Sequence, residues 1–170
     1  AVTSLIPWDA DQDGDLDLLV SRGDTFLLRN NGDQTTTIVS LEAPPLFSAS
    51  IIDIDEDGAV DVVGINDLGK LTLLKNERSG RIHVADSPLP DVTMKDLVVG
   101  DFNSDGWMDI AWIGKDSDAY VGENTHRNSF SPKLIGGIGH SIAAADIDND
   151  TRLDVMVIGD TIQFFPANGS

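Results

Sequence analysis

Apolar residues in this chain come in short runs rich in β-branched residues, LDLLV, VDVVGI, MDIAWIG and LDVMVIG, each closed by a turn containing Gly, Asn or Asp. Runs of this length and composition predict a strand followed by a turn, not a helix. Another set precedes them, SLIPW, ASII, DLVVG and SIAAA, and a third follows, TFLLRN, LTLLKN, AYVGEN and TIQFFPAN. Every member of the third set closes on an asparagine: Asn30, Asn76, Asn124 and Asn168. A looser fourth run, around TTTIVSL, RIHVA and SPKLI, completes three of the repeats, and the sequence reaches Ser170 before a fourth run in the last.

Four short strands in a repeat of about 45 residues form the pattern of β-propeller blades, each too small to bury its faces alone and stable only when stacked. The expected fold is all-β: one β-propeller domain of four-stranded antiparallel blades at about 1–43, 44–91, 92–136 and 137–170, the last without its outer strand. Four blades fit a fragment of a larger propeller, a small four-bladed ring or half of a dimeric ring.

Between the first and second runs of every repeat stands an acidic loop of one design. The copies are DADQDGDLD from Asp9, DIDEDGAVD from Asp53, DFNSDGWMD from Asp101 and DIDNDTRLD from Asp146, at intervals of 44, 48 and 45 residues. Oxygen-bearing side chains fill positions one, three, five and nine, and Gly at position six in three copies lets the chain curl so that several hard oxygens face one point. Crowded carboxylates repel one another, so either their pKa values rise or a cation neutralises them. Ca²⁺ suits such a loop better than Mg²⁺, because it accepts about six to eight oxygens in a loose geometry while Mg²⁺ demands a near-octahedral shell and keeps waters. An EF-hand also begins D-x-D-x-D-G, but it needs a bidentate Glu at position twelve between two helices. Here position twelve is Val20, Gly64, Trp112 or Val157, and the flanks are strands. In the last loop Thr151 replaces Gly at position six, where a left-handed conformation costs a non-Gly residue roughly 1 kcal/mol or more, so that site is expected to bind more weakly.

The formal net charge is −18, which disfavours nucleic acid and anionic membranes as partners. Fifteen carboxylates lie at the four oxygen positions of the loops, and four bound Ca²⁺ would leave a charge of −10, still acidic. No apolar stretch approaches the roughly 18 residues of a membrane span, so membrane insertion is not expected. There is no leading basic-then-apolar segment, so a signal peptide was removed or does not belong to this sequence. Cysteine is absent. Several weak calcium loops suit millimolar extracellular calcium, which predicts an extracellular or cell-surface location, or the periplasm in a bacterium.

The nine-residue loop, set between strands and repeated at blade spacing over nearly the whole chain, resembles the FG-GAP or VCBS family of calcium-binding repeats. That family is found in the head propeller of integrin α-subunits and in many secreted bacterial proteins. The resemblance implies that each loop joins the inner strand of a blade to the next strand and that up to four Ca²⁺ bind, one per loop. It implies as ligands Asp9, Asp11, Asp13 and Asp17; Asp53, Asp55, Asp57 and Asp61; Asp101, Asn103, Asp105 and Asp109; and Asp146, Asp148, Asp150 and Asp154. A backbone carbonyl at position seven, from Asp15, Ala59, Trp107 or Arg152, would complete each shell.

Enzymatic chemistry finds little support. His83, His126 and His140 have no zinc spacing, there is no G-x-S-x-G elbow or Walker loop, and the clustered carboxylates recur identically in every repeat, whereas an active site would break the symmetry. The expected function is a non-enzymatic scaffold that uses calcium structurally and binds a protein or carbohydrate ligand through its loops, as in adhesion. It would stand as a homodimer or beside further blades of a longer chain. Two alternatives are an accessory propeller domain of a larger secreted enzyme and a calcium buffer or sensor. Arg22-Gly23-Asp24, on the turn between the second and third strands, resembles the integrin-binding tripeptide, although Gly and Asp are also ordinary hairpin residues. Trp8 and Trp112 read as core. Trp107 is expected to pack against a neighbouring blade, with stacking on a sugar as the other reading. Asn149-Asp150-Thr151 and Asn168-Gly169-Ser170 match glycosylation sequons.

Overall fold

A computed structural model describes residues 3–167 apart from 79, 90, 127 and 128. The described residues form strands and turns, with no helix. The first sheet contains β1 (Ser4–Trp8), β2 (Asp17–Ser21), β3 (Thr25–Asn30) and β4 (Thr36–Ala43). The second contains β5 (Leu46–Ile52), β6 (Asp61–Asn66), β7 (Leu71–Asn76) and β8 (Ile82–Ala85). The third contains β9 (Met94–Gly100), β10 (Asp109–Gly114), β11 (Asp118–Asn124) and β12 (Phe130–Ile138), and the fourth β13 (Ser141–Ala145), β14 (Asp154–Ile158) and β15 (Ile162–Phe165). Each sheet is an antiparallel meander in chain order, the strand arrangement of propeller blades. The fourth sheet has three strands, and Asn168, expected to close its third strand, lies outside the described residues.

The sheets form two compact units. In the first, Ala1–Asp53 with Asp57–Ser87, sheets one and two share a core of Trp8, Leu19, Leu27, Leu41, Leu46, Val62 and Leu74. In the second, Ile54–Glu56 with Pro88–Ser170, sheets three and four share Ala111, Ile113, Ala119, Val121, Ile142, Val155 and Val157. Burial explains the sequence pattern. β2 alternates buried and half-buried positions, whereas β6 is buried at five of its six positions and β10 at all six, which is why their sequences read as unbroken apolar runs. Trp112 is core as expected. It stacks on Tyr120 and lies against Gly122, where an added Cβ would come within 2.9 Å of the indole. Several strands run longer than their sequence suggested, β5 and β12 most of all. β5 starts at Leu46, ahead of ASII, and β12 extends to Ile138 through Gly136 and Gly137, whose positive φ accompanies register shifts against β11.

The asparagine that ends a third strand now has a reason. Asn76 Nδ2 donates to the carbonyl of Ala10, in the loop of the preceding sheet, at 2.8 Å, and to Val60, in the loop of its own, at 3.3 Å. Asn124 does the same with Ile54 at 3.1 Å and Met108 at 3.3 Å. Each amide clips loop position two of one repeat to position eight of the next. Both side chains are buried, so the carbonyls have no water to turn to. Asn76→Ala and Asn124→Ala should therefore each destabilise the fold by about 1–3 kcal/mol in urea melts, while exposed Asn31→Ala should stay within about 0.5 kcal/mol.

Candidate metal loops

Each acidic loop is folded by its own carboxylates. Asp9 accepts from the Asp13 N–H through Oδ1 at 3.1 Å and from the Gly14 N–H through Oδ2 at 3.0 Å, and Asp13 Oδ1 accepts from the Asp15 N–H at 2.9 Å. Asp101 takes the Asp105 and Gly106 amides in the same way, and Asp146 those of Asp150 and Thr151. Asp53 accepts from Gly58. Position five accepts the position-seven amide in every loop: Ala59 onto Asp57, Trp107 onto Asp105 and Arg152 onto Asp150. These bonds curl the chain into two left-handed residues, at position four (Gln12, Glu56, Ser104 and Asn149, φ 53° to 61°) and at position six (Gly14, Gly58 and Gly106, φ 86° to 96°, and Thr151, φ 74°). Thr151 thus adopts the conformation that its neighbours leave to glycine.

Position nine is different. Asp17, Asp61, Asp109 and Asp154 are each at most 2% exposed and begin β2, β6, β10 and β14. Asp17 Oδ2 accepts from the Ala10 N–H at 3.0 Å and Oδ1 from the Asn30 N–H at 2.8 Å. Asp109 takes Phe102 and Asn124, Asp154 takes Ile147 and Ala167, and Asp61 takes Asn76 and the ammonium of Lys75 at 3.0 Å. This carboxylate ties the start of its loop to the end of the third strand.

The loops differ in what converges. One oxygen from each of Asp9, Asp11 and Asp13 lies within 4.8 Å of the others, and the same holds for Asp53, Asp55 and Asp57 and for Asp146, Asp148 and Asp154. In the fourth loop the position-nine carboxylate joins the cluster, while Asp150 bonds Arg152. In the third the Asn103 amide donates to Asp105 Oδ2 at 3.0 Å, His126 Nε2 lies 3.3 Å from the same oxygen, and Trp107 stacks on His126 with ring centroids 4.3 Å apart. The packing partner of Trp107 is thus the turn after β11 of its own sheet. At position seven Asp15 lays its carboxylate over Gly32, where a Cβ would sit 2.7 Å from Oδ2, and Ala59 is buried.

Hard oxygens without a proton donor are what a divalent cation needs, and the loops hold them. Asp11 Oδ1 and Asp53 Oδ1 are buried without a hydrogen-bond partner. Burial, followed by the charges of Asp13 and Asp17, pushes Asp11 above its ordinary 3.8, and Asp148 rises through burial and then Asp150 and Asp154. Burial drives Asp109 to about 6, with Asp105 and Asp101 adding and the Asn124 and Phe102 amides opposing. At Asp105 burial also pushes upward, but the Trp107 amide, His126 and Asn103 outweigh it and hold the carboxyl low. The donor set fits Ca²⁺.

The FG-GAP-like repeat is the family whose pattern matches, over residues 53–112 and again over 101–157. The chain belongs to the FG-GAP-like repeat family. Each match opens on the first aspartate of a loop and runs into the second strand of the following sheet. No curated protein matches the chain. Among solved structures, a crystal structure of BBS1N in complex with ARL6DN, soaked with lead, is similar at TM-score 0.58 and 11% identity, with 92% of this chain and 50% of that one covered. A mercury-soaked crystal of the same complex gives TM-score 0.55 and 13% identity over 99% and 50%. Such likeness concerns the β-propeller fold alone, and this FG-GAP-like chain spans about half the length of those solved chains.

The left-handed Thr151 gives one prediction. Thr151→Gly should stabilise the metal-free protein by up to about 1 kcal/mol, less what the unfolded chain gains in freedom, as read from urea melts. Asp109 gives another. The folded state holds its proton up to about 6, whereas the unfolded chain releases it near 3.8, so the folded state carries excess protons between those values. Metal-free stability should therefore fall as pH rises through that window, with Asp11 and Asp148 acting in the same direction. A carboxyl-carbon NMR titration in EDTA should place the Asp109 midpoint near 6.

Proposed function

We propose that this FG-GAP-like protein is an extracellular or cell-surface propeller scaffold whose acidic loops bind Ca²⁺ structurally and whose exposed loops bind a protein or glycan. The observation that carries the reading is the recurrence of one loop conformation whose convergent carboxylates include buried oxygens that no hydrogen bond satisfies. The side chains at positions one, three, five and nine, Asp9 to Asp17, Asp53 to Asp61, Asp101 to Asp109 and Asp146 to Asp154, would hold the ion with the position-seven carbonyl. Position nine would contribute most directly in the fourth loop, where Asp154 is part of the cluster. Calcium would supply charge neutralisation, and the protein supplies a curl already set by its own amides. The benefit is preorganisation: connections held rigid let neighbouring surfaces bind a partner with little ordering cost. That the similar BBS1N was crystallised with a protein, ARL6DN, supports an interaction role for this fold. The Arg22-Gly23-Asp24 turn is exposed and closed by a 2.7 Å bond from the Arg22 N–H to the Asp24 carbonyl, with Gly23 at φ 78°, so hairpin geometry accounts for its residues.

The test is a thermal melt in excess EDTA and in millimolar CaCl₂ at matched ionic strength, with elemental analysis of the dialysed protein. Each site held at calcium ten to a hundred times its Kd should add about 1.4 to 2.7 kcal/mol of stability. No shift and no bound calcium would sink the metal reading. A large change in scattering on adding calcium would favour the sensor alternative.

A further inference from the structure

Three of the four loops carry a basic side chain on the same atom of the same carboxylate. Arg78 Nε lies 3.6 Å from Asp57 Oδ2, His126 Nε2 lies 3.3 Å from Asp105 Oδ2, and a terminal nitrogen of Arg152 bonds Asp150 Oδ2. All three acceptors stand at position five, where Oδ1 already accepts the position-seven amide and Oδ2 is left for a cation. In loop one Asp13 Oδ1 likewise takes the Asp15 amide, but among the described residues no ion pair reaches Asp13 Oδ2, and Arg29 acts on Asp11 only through its charge.

The placement has a backbone cause. Arg78 and His126 occupy one position of the repeat, two residues beyond the third-strand asparagine, and both have left-handed φ, 58° and 63°. The first repeat has Gly32 there, φ 74°, with the Asp15 carboxylate in the space a side chain would need. Arg152 reaches its carboxylate from within its own loop.

We propose that Arg78 and Arg152 are tethered counter-ions that hold the fifth-position carboxylate of loops two and four in the metal-free protein and yield it to an entering Ca²⁺, so that loop one fills first. This rests on the calcium reading above. A guanidinium is charged at every working pH, so it competes for the oxygen under all conditions. The Arg78 side chain is 61% exposed, and an exposed pair is weak, so it lowers the affinity of loop two without closing it. His126 holds the equivalent place in loop three with an imidazole. The same sequence motif thereby yields loops of graded affinity: one whose fifth-position carboxylate has no ion-pair partner and others that keep one when calcium is scarce.

The experiment is a CaCl₂ titration of the protein followed by the backbone amides of Gly14, Gly58 and Thr151, one reporter per loop, together with melts in EDTA. Gly14 should move at lower calcium than Gly58 and Thr151. Arg78→Gln keeps the φ demand and the Cβ–Cδ stem and removes the charged guanidinium. It should shift the Gly58 midpoint to lower calcium by about three- to tenfold, leave Gly14 unchanged and lower the melting temperature in EDTA. Arg152→Gln should do the same at Thr151. A role in packing alone would weaken calcium binding and metal-free stability together. Three amides moving at one calcium concentration, or a Gly58 midpoint that Arg78→Gln leaves in place or raises, would overturn the counter-ion proposal while leaving calcium binding intact. Amides that never respond to calcium would overturn both readings.

Discussion

Everything in the repeat hangs on one buried carboxylate, the ninth residue of the loop. Removing an ionised Asp from water is costly unless its oxygens are satisfied, and here each oxygen of Asp17 meets a backbone amide, one from the second loop residue and one from the end of the third strand. A single side chain thus fixes where the loop begins, where β2 begins and where β3 ends. Asp109 shows what the arrangement costs: two amides do not fully offset its burial beside Asp101 and Asp105, and its carboxyl rises to about 6. Lys75 on Asp61 is a local answer to the same problem.

From that anchor the order passes to the next sheet. The amide that Asp61 receives belongs to Asn76, and Asp109 receives that of Asn124. Because the carboxylate holds the backbone of the asparagine, its side chain is free to reach carbonyls of two successive loops. Loop, strand and asparagine form one hydrogen-bonded relay. The amide that the buried carboxylate receives is that of the asparagine in the first three repeats, Asn30, Asn76 and Asn124, and that of Ala167 in the fourth.

The strand pattern and the loops were legible because each has a strict geometric demand. Alternating or continuous apolar runs can satisfy a blade only as strands, and a glycine recurring at position six among aspartates is by itself the mark of a left-handed turn. The recurrence of Asn30, Asn76 and Asn124 was visible, but what Asn76 and Asn124 do was not, since the preceding-loop carbonyls they reach, those of Ala10 and Ile54, are far away in the chain. Arg78 and His126 were hidden for a related reason. A basic residue two places beyond an asparagine says nothing until the left-handed backbone there is known to aim it at Asp57 or Asp105. Trp107 was expected against a neighbouring blade for want of the same information, and its stacking partner is the residue that this turn delivers. The end of β12 escaped because Gly136 and Gly137 carry no apolar signal, and the start of β5 because Ser48 and Ser50 break the apolar run that Leu46 and Phe47 open.

Variation among the four loops follows from which atoms each position uses. Positions one, five and nine act through side-chain oxygens that accept backbone amides, and they are aspartate in all four copies. Position eight serves through its carbonyl in loops two and three, and it is Leu16, Val60, Met108 or Leu153. Position seven folds the loop through its N–H, and its side chain is free to be Asp15, Ala59, Trp107 or Arg152. Position three lies between these cases. It is Asn103 in one loop, where its amide bonds Asp105 and three carboxylates no longer converge, so the fold tolerates the change while the charge of the cluster falls. The constant positions therefore carry the fold, and changes at positions three and seven alter the charge and donors that each loop presents.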